Sequence, residues 1–158
     1  MSESHFYSVE FEPTQGGVWV AWIVTDYVLV ETAPTALDYC RLRAVSGLSP
    51  KTQAAAVIAL PNTWYGVHIL HKDETVGMGR IVGDGGCHFQ IVDMAVLPEH
   101  QGQGLGKRIM TALVARLDSH APASAYVSLI ADGKARDLYA QYGFEPTAPV
   151  SIGMSRRY

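Results

Sequence analysis

Tyr7, Val9 and Phe11 alternate with Ser8, Glu10 and Glu12, the period expected of a strand with one face buried. Pro13-Thr14-Gln15-Gly16-Gly17 predicts a turn, and the apolar run Val18 to Val24, carrying Trp19 and Trp22, predicts a returning strand. Residues 1–25 therefore read as a hairpin-like extension standing apart from a domain over 26–158. Burial against the core is its default use; covering a sheet edge, lining a substrate site and forming a homodimer contact are the others.

Beyond it the period changes repeatedly between two and 3.6. Tyr27 to Glu31 predicts a strand, and Pro34 opens a helix with Leu37, Cys40, Ala44 and Leu48 on one side. Gly47 can stop that helix, and Ser49-Pro50 supplies a cap and first residue for a second one reaching about Leu60. Strands are expected at 65–71 and 75–82, then a tight turn at Asp84-Gly85-Gly86 and a central strand over 87–96. Arg108 to Asp118 places Ile109, Met110, Leu113, Val114 and Leu117 on one helical face. A β-rich run at 125–131, a helix from Ala135 and two closing strands near 144–148 and 150–157 complete the reading. The interleaving of strands and helices predicts an α/β fold.

At 158 residues the chain fits one full-sized core. With 17% charged residues, a net charge of −3 and no basic run, the composition argues against a nucleic-acid partner. No apolar stretch is long enough to span a bilayer and no signal peptide is evident, so a cytoplasmic protein without a membrane partner is expected. Cys40 and Cys87 are read as buried thiols, and the scattered histidines lack ligand spacing, so no metal is expected.

The most specific segment is Ala95-Val96-Leu97-Pro98-Glu99-His100-Gln101-Gly102-Gln103-Gly104-Leu105-Gly106-Lys107. It runs from an apolar strand through a proline turn into a glycine-rich helix start, where bare N–H groups and the helix dipole favour phosphate. It is not a P-loop, because Gln101 stands where the first glycine belongs and Arg108 follows Lys107. Nor is it a dinucleotide fingerprint, since the glycines at 102, 104 and 106 alternate strictly.

Gln101-x-x-Gly104-x-Gly106 resembles the pyrophosphate-binding motif of the GCN5-related N-acetyltransferases, the GNAT family. Downstream, Ala135-Arg136-Asp137-Leu138-Tyr139-Ala140-Gln141-Tyr142-Gly143-Phe144 is similar to the same family's A-x-x-L-Y-x-x-x-G-F signature. The resemblance covers about residues 27–158. It implies a GNAT fold, a mixed central sheet with splayed strands flanked by about four helices, and acetyl-coenzyme A as co-substrate. By position it assigns the backbone of Met94, Ala95 and Val96 to the pantetheine arm and acetyl carbonyl. It assigns Gln101, Gly102, Gln103, Gly104, Leu105, Gly106 and Lys107 to the pyrophosphate. Tyr139 corresponds to the tyrosine that protonates the leaving thiolate, a task a neutral phenol suits; Tyr142 is the weaker candidate, read as packing.

Asp93, a carboxylate in an apolar strand, is costly there unless paired or at the cleft, so it is the candidate base or acceptor ligand; capping a neighbouring loop or bonding backbone amides is the alternative. By alternation His88 and Gln90 are taken to share its strand face, where they could orient the amine or relay a proton through water; His88 is read first as an exposed or satisfied hairpin residue. Asp132 caps the following helix or meets the cofactor. Arg41 and Arg43 are read as solvated helix charges rather than a clamp for a substrate carboxylate. The implied function is N-acetyl transfer to a primary amine, of a small molecule in the first reading. A protein or peptide acceptor and a non-catalytic acyl-coenzyme A sensor are the alternatives. Nothing in the sequence names the acceptor.

Overall fold

In a computed structural model of the chain, strands Ser8–Pro13 and Trp19–Val24 are described by their backbone, and residues 26–156 with their side chains. The first two strands, β1 (Ser8–Pro13) and β2 (Trp19–Val24), pair antiparallel from Ser8↔Val24 to Pro13↔Trp19 as a separate two-stranded sheet. Tyr7 and the expected turn between these strands lie outside the described residues.

The main sheet has five strands in the order β3-β4-β5-β6-β7: Tyr27–Val30, Tyr65–His71, Glu74–Gly83, His88–Val96 and Tyr126–Leu129. Every neighbouring pair is antiparallel except β6–β7, which is parallel, so the sheet is mixed, as the sequence implies. Among the described residues four α-helices flank it: α1 (Ala36–Val45), α2 (Gln53–Ala59), α3 (Leu105–His120) and α4 (Ala135–Ala140). The long helix α3 buries Leu105, Ile109, Met110, Leu113 and Leu117, whose spacing is the stripe read from the sequence. Gly77 and Gly79 of β5 have no side chain to hold that stripe away; a Cβ on Gly79 would stand 2.5 Å from Ile109 and 2.7 Å from the Met94 sulfur.

The hairpin between β5 and β6 forms as expected. Asp84 Oδ1 accepts from the backbone N–H groups of Gly86, Cys87 and His88 at 2.9, 2.8 and 3.0 Å, the local bonding that makes aspartate a turn former.

Four expectations fail. The second helix is capped by Thr52, whose hydroxyl accepts from Ala55 N–H, and not by Ser49. Residues 144–156 form no strand: Pro146 and Pro149 cannot donate to a ladder, and Val150, Ile152 and Met154 are exposed with nothing to pair against. Cys87 is exposed and Cys40 only half-buried, its thiol donating to Lys51 O at 3.6 Å. Finally, α1 is rotated from its expected pose. Leu37 is 68% exposed, while Tyr39, Leu42 and Arg43 are buried, for a reason found in the site.

Candidate active site

Strand β7 pairs with β6 only over His88–Ile91. From Val92 to Val96, β6 has no strand partner on that side among the described residues, because β7 ends at Leu129, and this open edge contains Met94, Ala95 and Val96. A β-bulge lies in the same stretch: Arg80 faces Val92 and Met78 faces Ala95, so Asp93 and Met94 together oppose Gly79. Asp93 takes up the extra residue with φ +58, a left-handed conformation that aspartate tolerates better than most residues.

The bulge also settles which side chains share a face. Strict alternation would put Asp93 opposite Gln90 and His88. Instead, Val82↔Gln90 and Arg80↔Val92 pair on one side, and Asp93 reaches Arg80 on that side. The three do share a face, through the bulge and not through alternation. His88 itself is exposed and packs edge-on to Tyr126.

Asp93 is not a solitary carboxylate. Its Oδ2 accepts from Arg80 Nε at 2.8 Å and Nη2 at 2.7 Å, and its Oδ1 accepts from Arg43 Nη1. Arg80 also donates to Thr63 Oγ1 at 2.7 Å, and Arg43 Nε donates to Ser49 O at 2.8 Å. Both guanidiniums lie against the Tyr39 ring. The side chains of Arg43, Arg80 and Asp93 are 9%, 6% and 8% exposed. Arg43 is therefore no solvated helix charge: its ion pair turns Tyr39 and Arg43 inward and leaves Leu37 outside. Arg41 is held by Asp38, Glu74 and Thr75 O. Buried charge of this kind persists only when paired. Arg80, which sequence reasoning passed over, could have been suspected as a cation in an otherwise apolar strand.

Past Val96 the chain turns through Pro98–His100 into the glycine loop. Gly102 and Gly104 have φ of +77 and +76, and a Cβ on either would meet nothing within 4 Å. Gly104 is the N-cap of α3 and offers no side chain, so the first-turn amides of Leu105, Gly106 and Lys107 have no cap. Gln101 folds back, donating through Nε2 to Val96 O at 3.0 Å, which fixes the loop to the end of the open strand. Lys107 is exposed, whereas Arg108 Nη1 donates to Tyr27 O at 3.1 Å. The loop thus presents left-handed glycines, open space and free amides at one helix N-terminus, an arrangement that fits a pyrophosphate.

Helix α4 brings Tyr139 into the core at 8% exposure. Burial raises its hydroxyl above the ordinary phenol value, and the Asp132 carboxylate adds to the rise. Asp132 does not cap α4 through its side chain; its carbonyl accepts from Ala135 N–H, and the N-cap is Lys134. Tyr142 is occupied structurally, its hydroxyl bonded to Lys107 O and Thr111 Oγ1.

The fold and the site together define an α/β domain with a glycine loop and an uncapped helix N-terminus at one end of an open strand edge. The acetyltransferase (GNAT) domain family matches residues 48–152, and the chain belongs to that family, whose members are acyltransferases. It is 40% identical over 74 residues to GCN5-related N-acetyltransferase 2, chloroplastic, of Arabidopsis thaliana; the match takes in 47% of this chain and 28% of that relative's length. A Staphylococcus aureus protein of unknown function, described as a probable acetyltransferase, shares 47% identity at a TM-score of 0.81, covering 84% of this chain and 99% of that one. The ribosomal-protein-S18-alanine N-acetyltransferase of Escherichia coli has the same fold at 16% identity and a TM-score of 0.63, covering 75% and 77%. Among the described residues no helix is long and apolar enough to cross a membrane.

Proposed function

We propose that the protein transfers the acetyl group of acetyl-coenzyme A to the primary amine of a small molecule. The observation that carries this reading is the juxtaposition on one strand of an open edge at Met94–Val96 and a loop with uncapped helix amides directly after it. When bound, acetyl-coenzyme A supplies an activated thioester. The amides of Leu105, Gly106 and Lys107, with the freedom given by Gly102 and Gly104, would hold its pyrophosphate. The backbone groups of Met94–Val96 that face the open β7 side would hold the arm and polarise the carbonyl, an aligned-donor effect that gains strength away from water.

Tyr139 keeps its proton at neutral pH because burial opposes the phenolate. In this reading its Oη–H gives that proton to the sulfur as the carbon–sulfur bond breaks, and the amine nitrogen bonds to the acetyl carbon. The nitrogen's surplus proton leaves to water, and the Tyr139 oxygen takes a proton back from water to close the cycle. Asp93 is not needed for that step, since both of its oxygens already accept from guanidiniums.

Support for a small acceptor comes from the α1–α2 linker, which the family resemblance places on the acceptor side and which is tied down by Leu48 N–H on Arg43 O at 2.9 Å and by Arg43 Nε on Ser49 O at 2.8 Å. A wall fixed in this way suits a compact ligand. A protein or peptide acceptor is the second reading, favoured by the exposed apolar residues Leu37, Val45, Val57 and Ile58 on α1 and α2. The test is thiol release from acetyl-coenzyme A across a panel of small amines and of peptides with free N-termini or lysines. Release with small amines alone supports the first reading. Release with peptides alone replaces it by the second, and tight cofactor binding with no release under any acceptor leaves a sensor.

A further inference from the structure

We propose that the buried Arg43–Asp93–Arg80 cluster is a positioning device that sets the β6 bulge, and through it the amide edge of Met94–Val96. This rests on the acetyl-transfer reading above. Helix α1 grips β6 at both ends of the Met94–Ala95 step. Arg43 bonds Asp93 on one side, and Ser46, the C-cap of the helix, points its hydroxyl at Val96 O, 3.4 Å away, on the other. Arg80 closes the cluster from the neighbouring strand and ties it to Thr63, where the chain enters β4.

The bulge is costly to maintain by itself, since it needs a left-handed aspartate and leaves a ladder irregular. Two guanidiniums on one carboxylate, all three buried, define that conformation. The same Arg43 holds Ser49 O of the acceptor-side linker. One side chain therefore couples the wall that faces the acceptor to the strand that faces the donor. Asp93 acts through the backbone of its neighbours and takes no proton from the amine.

The comparison that tests this uses Asp93→Asn, Arg43→Gln and the double variant Arg43→Gln/Asp93→Asn. Each is measured for kcat, the pH profile of kcat/KM, the acetyl-coenzyme A dissociation constant, Tm, and amide hydrogen exchange at Met94 and Ala95. Asp93→Asn alone leaves two cations against a neutral amide, so kcat falls by about tenfold to a hundredfold, as misplacement of reacting groups does, and Tm drops. Arg43→Gln leaves a neutral Asp93–Arg80 pair and stays folded, with faster exchange at Met94 and Ala95. The double variant regains part of the kcat and Tm lost in Asp93→Asn, because asparagine tolerates the same φ and a glutamine amide can bond it. In every active variant the acid limb of the profile stays at the acceptor amine's own pKa.

Loss of that limb in both Asp93 variants, with no recovery in the double, would make the carboxylate the base and overturn the proposal. If wild-type protein binds no acetyl-coenzyme A, the acetyl-transfer reading fails, and the cluster is then judged on exchange alone. Unchanged exchange at Met94 and Ala95 in Arg43→Gln overturns it, and faster exchange supports it.

Discussion

Tyr142 donates its hydroxyl to the carbonyl of Lys107 at 2.9 Å and shares a hydrogen bond of the same length with Thr111. The end of α4 is thereby fastened to the first turns of α3, directly behind the glycine loop. Three residues earlier, on the same segment, Tyr139 is buried with a raised hydroxyl pKa. Two tyrosines of one short segment thus differ: one holds helices together through its hydroxyl, and the other is buried and is the proposed proton donor.

Removing the structural hydroxyl in Tyr142→Phe deletes hydrogen bonds each worth about 1 kcal/mol net. A Tm lower by a few degrees, with kcat nearly unchanged, is the expected outcome of thermal melting paired with a thiol-release assay. A large loss of kcat at unchanged Tm would show that Tyr142, and not Tyr139, does the chemistry.

Tyr139→Phe should do the reverse. General-acid groups contribute about 10²-fold or more, so kcat falls by roughly that factor while the acetyl-coenzyme A dissociation constant moves little. Because the folded-state pKa is raised, the neutral hydroxyl favours the fold below the unfolded phenol's value near 10, and that contribution disappears as pH climbs through the folded value. Wild type should therefore lose stability on the alkaline side more steeply than the phenylalanine variant, as denaturant titrations at several pH values would show.

The glycines separate two kinds of cost. At Gly104 the space is open but φ is +76, so Gly104→Ala pays only for the left-handed backbone, about 1–2 kcal/mol, and weakens cofactor binding through a shifted loop. At Gly79 an added Cβ would meet Ile109 and the Met94 sulfur at 2.5 and 2.7 Å, an overpacking penalty of about 1–3 kcal/mol. Calorimetric titration with acetyl-coenzyme A, beside thermal melts, should show Gly104→Ala impaired mainly in binding and Gly79→Ala mainly in stability.

His100 stands at the foot of the loop. Its Nδ1 lies 2.8 Å from the Tyr27 hydroxyl, and its ring packs 5.0 Å from that of His71. Burial first, and the neighbouring His71 second, push its pKa below the usual 6.5, while Glu99 and Glu74 oppose the shift. A histidine held neutral binds fewer protons folded than unfolded, so its contribution to stability is complete above about pH 6.5 and is lost as pH falls toward the folded value. Wild type should lose stability as pH falls below about 6.5 more steeply than His100→Gln. Parallel slopes for the two proteins would remove His100 as the source.

Much of this fold was legible because its signals are local. The Ile109, Met110, Leu113 and Leu117 stripe, the Asp84 turn and the glycine alternation at 102, 104 and 106 each depend on residues close in sequence. Two of the failures have the opposite property. The face of α1 could not be read from Leu37, Cys40, Ala44 and Leu48, because a charge pair fifty residues apart decides it. The closing strands expected at 144–148 and 150–157 could not be judged locally, because pairing depends on a distant partner, and among the described residues none pairs with 144–156.

By itself the sequence determined the strand–loop–helix corner, the family, and the place of Tyr139 on the last helix, since these are set by spacing within short segments. Only the tertiary structure decided what Asp93 is. An isolated carboxylate in an apolar strand reads as a base, and two arginines from α1 and β5 make it a held anion. The physical reason is that charge burial is a property of the assembled core. The desolvation that would make a lone aspartate reactive is the same force that here requires it to be paired.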